Sequence, residues 1–123
     1  VDLVVMGRRG AGSKWAGPLL GSTFEAVIRH SPVPVLAAQA EAHPIRHVLV
    51  AYDGSDRSRD ALRVATELVQ AKNASMTFLT VDDGRRKREE DYHEGLAFLH
   101  EHDMAAKALF LAGHPAEQIL QVA

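Results

Sequence analysis

The sequence predicts an α/β fold: an open, mostly parallel five-stranded sheet with helices on both faces. Three observations predict it. Short apolar, β-branched runs alternate with helix-periodic stretches along the whole chain, which is how strand–helix–strand units are written. The two best glycine turns, at residues 7–12 and at Asp53-Gly54, each follow such a run. A length of 123 residues, with 46% hydrophobic and 24% charged residues, suits one ordinary globular domain.

Residues 2–6 (DLVVM) read as a buried parallel strand. The glycine-dense stretch 7–12 (GRRGAG) turns the chain. A helix follows over 23–30, with Ser22 and Glu25 spaced as in a capping box. Ser31-Pro32 ends it, because the residue before a proline is pushed out of the helical region. Residues 33–38 (VPVLAA) form a second strand, and Pro34 marks it as an edge strand or its own first residues. The polar stretch 39–46 (QAEAHPIR) reads as a linker. Residues 47–52 (HVLVAY) are a third strand, which leaves through Asp53-Gly54-Ser55. A helix covers 55–71, with Ala61, Leu62, Ala65, Leu68 and Val69 at helical spacing. Residues 75–81 (SMTFLTV) are a fourth strand. The charged loop 82–89 runs into a helix over 90–102 with Leu96 and Leu99 inward. Residues 107–112 are a fifth strand, and after Gly113-His114-Pro115 the chain is helical from Ala116, with proline at a favourable first position.

Several function classes drop away at once. A net charge of -2 gives no basic excess for nucleic acid or an anionic membrane. No apolar run reaches the ~18 residues of a membrane span. The absence of cysteine excludes disulfides and thiolate zinc sites, which fits a cytoplasmic protein. The chain opens on Val1 and runs straight into an apolar strand, so the reading expects a piece of a longer protein.

In a parallel sheet ligands gather at the carboxyl ends of strands, where both glycine turns lie. A phosphate needs close N–H donors and positive potential. Glycines let the backbone approach, and a following helix start adds free N–H groups. Gly7, Gly10, Gly21, Ser22 and Thr23 are candidates for that role, with Arg8, Arg9 and Lys14 adding charge. The alternative is that the glycines only turn the chain. The Walker phosphate loop does not fit, since Ser13-Lys14 stands where Lys-Ser/Thr is required.

These segments resemble the universal stress protein family. DLVVMGRRG followed by LLGSTFEAVIRHSPVPVLAA looks like the carboxyl-terminal third of such a domain. HVLVAYDGSDRSRDALRVATELV looks like its first strand and helix, MTFLTVDD its second strand, and LFLAGHPAEQILQVA its third strand and helix. Residues 86–104 carry the weakest likeness. The resemblance implies an adenine nucleotide alpha hydrolase-like fold and ATP as ligand, with or without Mg²⁺. The glycine pattern then implies phosphate contacts, Asp53 a contact to ribose or a phosphate-bound metal, and the Val81 backbone a contact to adenine. Two plainer readings stand beside these: Asp53 in an Asx turn, and Val81 as the last inward residue of its strand. The family's ATP-binding members place nine residues between the second glycine and the Gly-Ser/Thr pair. This chain has ten between Gly10 and Gly21.

The elements stand in permuted order against that family. Residues 1–38 correspond to the last two strands, 39–46 to a joint, and 47–123 to the first three strands. The expected origin is a tandem protein, with the end of one domain joined to the start of the next. Asp53 and the glycine loop then belong to different parent domains and share a site if the pieces permute or swap. Linker length permits permutation: eight extended residues reach about 26 Å, against roughly 20 Å across strands of this size.

The resemblance implies a regulatory, nucleotide-binding module of the stress response, paired as a homodimer or intramolecularly between tandem domains. An interaction-only member that has lost nucleotide binding is the alternative favoured by the longer loop. A slow ATPase is the third reading, although no nucleophile with a base stands at a recognisable spacing. The seven histidines, including His93, His100 and His102, read as surface residues rather than metal ligands. Arg85, Arg86, Lys87 and Arg88 read as a solvated start to the following helix. Trp15 reads as an anchor for the glycine segment.

Overall fold

The computed structural model describes residues 1–7, 22–38 and 43–123. In chain order its elements are β1 (Val4–Gly7), α1 (Ser22–His30), β2 (Val35–Ala38), β3 (His47–Ala51), α2 (Asp56–Lys72), β4 (Ser75–Asp82), α3 (Glu89–Glu101), β5 (Lys107–Ala112) and α4 (Pro115–Val122). All strand pairings are parallel. The α/β class and the strand–helix alternation are those expected. Among the described residues the five strands fall into two sheets, β1-β2 and β3-β4-β5, where the sequence predicts one. Each sheet contains only strands joined by their own crossover helices. The chain accordingly divides into two compact units, Val1–Pro44 and Ile45–Ala123. Among the described residues no helix is long and apolar enough to cross a membrane.

In the first unit β1 and β2 pair in register from Val4 with Val35 to Gly7 with Ala38. Pro34 lies just before β2, and its carbonyl accepts from the Val4 N–H at 3.0 Å. This is the tolerated place for a residue with no N–H of its own. Helix α1 stops where the Ser31 hydroxyl reaches forward to the Val33 carbonyl at 2.8 Å.

In the second unit β4 is central, and Met76 to Val81 are all buried. Met76 and Phe78 join Val50, Tyr52, Leu62, Ala65, Val69 and Leu99 in one core. Helices α2 and α3 therefore share one face of this sheet. Helix α2 starts where Ser55 caps it by accepting from the Ser58 N–H at 3.2 Å. It ends at Asn73, left-handed at φ 51°. Its buried positions are Ser58, Leu62, Ala65, Thr66 and Val69. Thr66 is buried, while Ala61, expected inward, is exposed. The Thr66 hydroxyl is satisfied at 2.9 Å by the Leu62 carbonyl one turn back. Pro115 opens α4 as expected.

Candidate functional site

The carboxyl ends of β3 and β4 lie side by side. Ala51 pairs with Leu79, and the Tyr52 N–H donates to the Leu79 carbonyl at 2.8 Å. Successive residues of a strand point their backbone groups to alternate sides. Leu79 faces β3, so Thr80 faces β5 and Val81 faces the β3 side again. Asp82 confirms the alternation by accepting from the Gly113 N–H after β5 at 2.9 Å. By Val81, however, β3 has already left the sheet at Asp53. The Val81 N–H and C=O thus point into the space beside the Asp53 turn.

That turn is tightly built. Asp53 Oδ1 accepts from the Ser55 hydroxyl at 2.6 Å and the Ser55 N–H at 3.0 Å. This is an Asx turn, and it ties the strand end to the helix cap. Bonding from Ser55 and Ser58, with Arg88 nearby, holds the Asp53 carboxyl below the usual carboxylate range against the opposing effect of burial. Asp53 is exposed and ionised at neutral pH.

The charged run after β4 folds back on this turn. Asp91, only 7% exposed, accepts from Arg86 Nη2 at 2.7 and 2.9 Å and from Arg88 Nη1 at 3.4 Å. Arg88 Nη1 also donates to the Asp53 carbonyl at 2.7 Å. The Arg88 side chain is 17% exposed. This corrects the reading of the run as wholly solvated: Arg88 is largely covered by the turn, while Arg85, Arg86 and Lys87 are exposed. The sequence signal was the three-residue spacing of Arg88 and Asp91, and nothing in it told that the target lay 35 residues back.

A second polar group sits between α2 and α3, beside a cleft of about 310 Å³. The Tyr52 hydroxyl donates to Glu94 Oε1 at 2.5 Å, and Arg59 grips both Glu94 oxygens at 2.7 and 3.1 Å. Burial and then the Glu94 bond push the Tyr52 hydroxyl up to about 12. Arg59 and then Tyr52 lower Glu94 from 4.5 to about 2. The unfolded chain therefore binds the Glu94 proton first as pH falls. The stabilisation is present above about 4.5 and is lost on the way to about 2. Arg59 and Glu94 are both nearly half exposed, so solvent screens the pair and the effect is modest. Glu94→Gln is expected to be less stable than the parent at neutral pH, with the two urea midpoints converging in acid.

Of the expected site residues, Asp53 and Val81 stand together at one end of the second unit's sheet. Gly7 lies at the carboxyl end of β1, and Ser22 and Thr23 open α1, in the first unit. Gly10 and Gly21 lie outside the described residues, as do Arg8, Arg9, Lys14 and Trp15. His93, His100 and His102 are exposed, and no group of three or more His, Asp or Glu among the described residues is placed to hold a metal ion.

A sequence model described as the universal stress protein family matches residues 1–39 and 44–123. A universal stress protein of Synechocystis is 41% identical over 54 residues, which is 44% of this chain and 19% of that protein. One from Mycobacterium tuberculosis is 34% identical over 82 residues, 63% of this chain and 27% of that protein. The crystal structure of a universal stress protein from Archaeoglobus fulgidus superposes with a TM-score of 0.75 at 26% identity, covering 98% of this chain and 46% of that one. The chain thus spans less than half the length of these relatives.

Proposed function

The chain belongs to the universal stress protein family, and on that premise we propose that it is an ATP-binding regulatory module of the stress response. The observation that carries the proposal is the pairing of an ionised Asp53 with an outward-facing Val81 backbone at one sheet end. An adenine edge needs one donor and one acceptor, and a strand residue facing past the end of its neighbour offers both. A ribose needs an acceptor for its hydroxyls. The Ser55 bonds go to Oδ1 of Asp53, and in this reading Oδ2 accepts from a sugar hydroxyl or meets a phosphate-bound Mg²⁺. Gly7, Gly10, Gly21, Ser22 and Thr23 carry the phosphate role in this reading. Binding rather than turnover is the proposed activity, in a cytoplasmic protein paired with a second domain of its own kind.

The longer spacing of ten residues between Gly10 and Gly21 favours a second reading, an interaction module without nucleotide. A native mass spectrum of the chain with ATP and Mg²⁺ separates the two. The proposal expects nucleotide retained on a monomer or dimer. It expects Asp53→Ala to weaken that binding about tenfold or more, the usual order for losing a charged hydrogen-bond partner. Protein free of nucleotide under the same conditions supports the interaction module instead.

A further inference from the structure

The Asp53 turn is held by more than its own Asx bonds. Two loops meet at this end of the second unit's sheet, one leaving β3 and one leaving β4. Arg88, the residue before α3, joins them by donating to the Asp53 carbonyl at 2.7 Å. Asp91, in the first turn of α3, holds Arg88 in place and is itself gripped by Arg86. Gly54 lies so close to Asp91 that a Cβ on it would sit 2.5 Å from the Asp91 carboxyl carbon. Burying an acid and a guanidinium is costly unless each is paired. Here Arg88 and Asp91 pair with each other and Arg88 also bonds the turn, while the buried Arg88 Nε has no partner among the described residues.

We propose that Arg88 and Asp91 are positioning residues for the nucleotide site, fixing the Asp53-Gly54 turn so that the Asp53 carboxylate is held where a sugar hydroxyl meets it. The inference rests on the function proposed above. Arg88 grips the turn's backbone from the β4 side. Asp91 aims Arg88 and fills the space under Gly54. A carboxylate at a flexible turn would have to be ordered at each binding event, whereas a latched one is already in place.

The test uses the full chain with Arg88→Met, Arg88→Lys and, as a control outside the cluster, Arg85→Met. Two readouts need no nucleotide: hydrogen exchange of the Ser55 amide, which is bonded to Asp53, and the NMR titration of the Asp53 carboxyl. A third is the affinity for Mg²⁺-ATP by calorimetry. In Arg88→Met the Ser55 amide should exchange about tenfold faster and ATP should bind about tenfold more weakly, the scale of one charge-assisted bond. The Asp53 midpoint should rise, since the Arg88 charge lowers it. Arg85→Met should match the parent in all three, and Arg88→Lys should fall between. Should Arg88→Met not fold, Arg88→Lys carries the test. Ser55 exchange and an Asp53 midpoint unchanged from the parent in the folded variant would overturn the latch. A parent chain that takes no ATP would overturn the proposed function alone, because the first two readouts judge the latch without it.

Discussion

Gly54→Ala is expected to lower stability by about 3 kcal/mol, a large effect for one methyl group. Two causes add. Gly54 has φ +74°, a left-handed conformation that costs a residue with a Cβ about 1–2 kcal/mol. The new methyl would also overlap Asp91 Oδ1 and lie 2.5 Å from Asp91 Cγ. Asp91 has little room to withdraw, because Arg86 and Arg88 hold it and it is 7% exposed. Overpacking of this kind adds about 1–3 kcal/mol. Gly84 shares the conformation at φ +75° but has nothing within 4 Å, so only the first cost applies there. Urea denaturation of Gly54→Ala should show a lower midpoint with an unchanged slope. On an Asp91→Ala background the same change should cost only the conformational part, about 1–2 kcal/mol. Strictly additive losses would mean that Asp91 does not crowd Gly54.

Gly95→Ala is expected to destabilise as well, although glycine to alanine inside a helix normally gains about 1 kcal/mol. Gly95 sits in α3 directly over the ring of Phe78. A Cβ there would overlap Phe78 Cζ, lie 2.7 Å from Cε2, and come within 3.2 Å of Tyr52 Cδ1. Phe78 is 0% exposed at the centre of the core. Its ring is fixed by Tyr52 at 5.4 Å and Tyr92 at 5.9 Å between centroids. The helix would have to rise off the sheet, at a net loss of about 2 kcal/mol. Phe78→Leu in the same chain should recover part of that loss by opening room for the methyl. A Gly95→Ala variant more stable than the parent would show that α3 packs less closely than this.

Much of the fold was legible because parallel sheets write themselves as apolar runs divided by amphipathic helices. The fifth strand, β5, occupies the residues expected, and no other boundary moved by more than two positions, where frayed ends and caps decide. The Asp53 turn was readable too, since an aspartate two residues before a serine cap is a local pattern. What escaped was how single side chains are satisfied, above all at long range. Thr66 faces inward because its hydroxyl finds a carbonyl within its own helix, which lets a polar residue do an apolar residue's work. Arg88 looked like one charge in a solvated run because its partners are Asp91 and a carbonyl reached only through the fold. Gly95 carried no signal at all, since only the neighbouring ring shows why a side chain is forbidden there. The division of the strands into two sheets follows the polar joint at residues 39–46, which marked a break without telling how the ladders would pair.

On the function proposed above ATP lies against the ends of β3 and β4, and an amide-resolved NMR titration of the chain with Mg²⁺-ATP tests this directly. Saturable shifts at Asp53, Gly54, Ser55 and Val81 that share one binding curve are expected, and their loss in Asp53→Ala. Saturable shifts confined to other parts of the chain, or none at all with the protein folded, would contradict it.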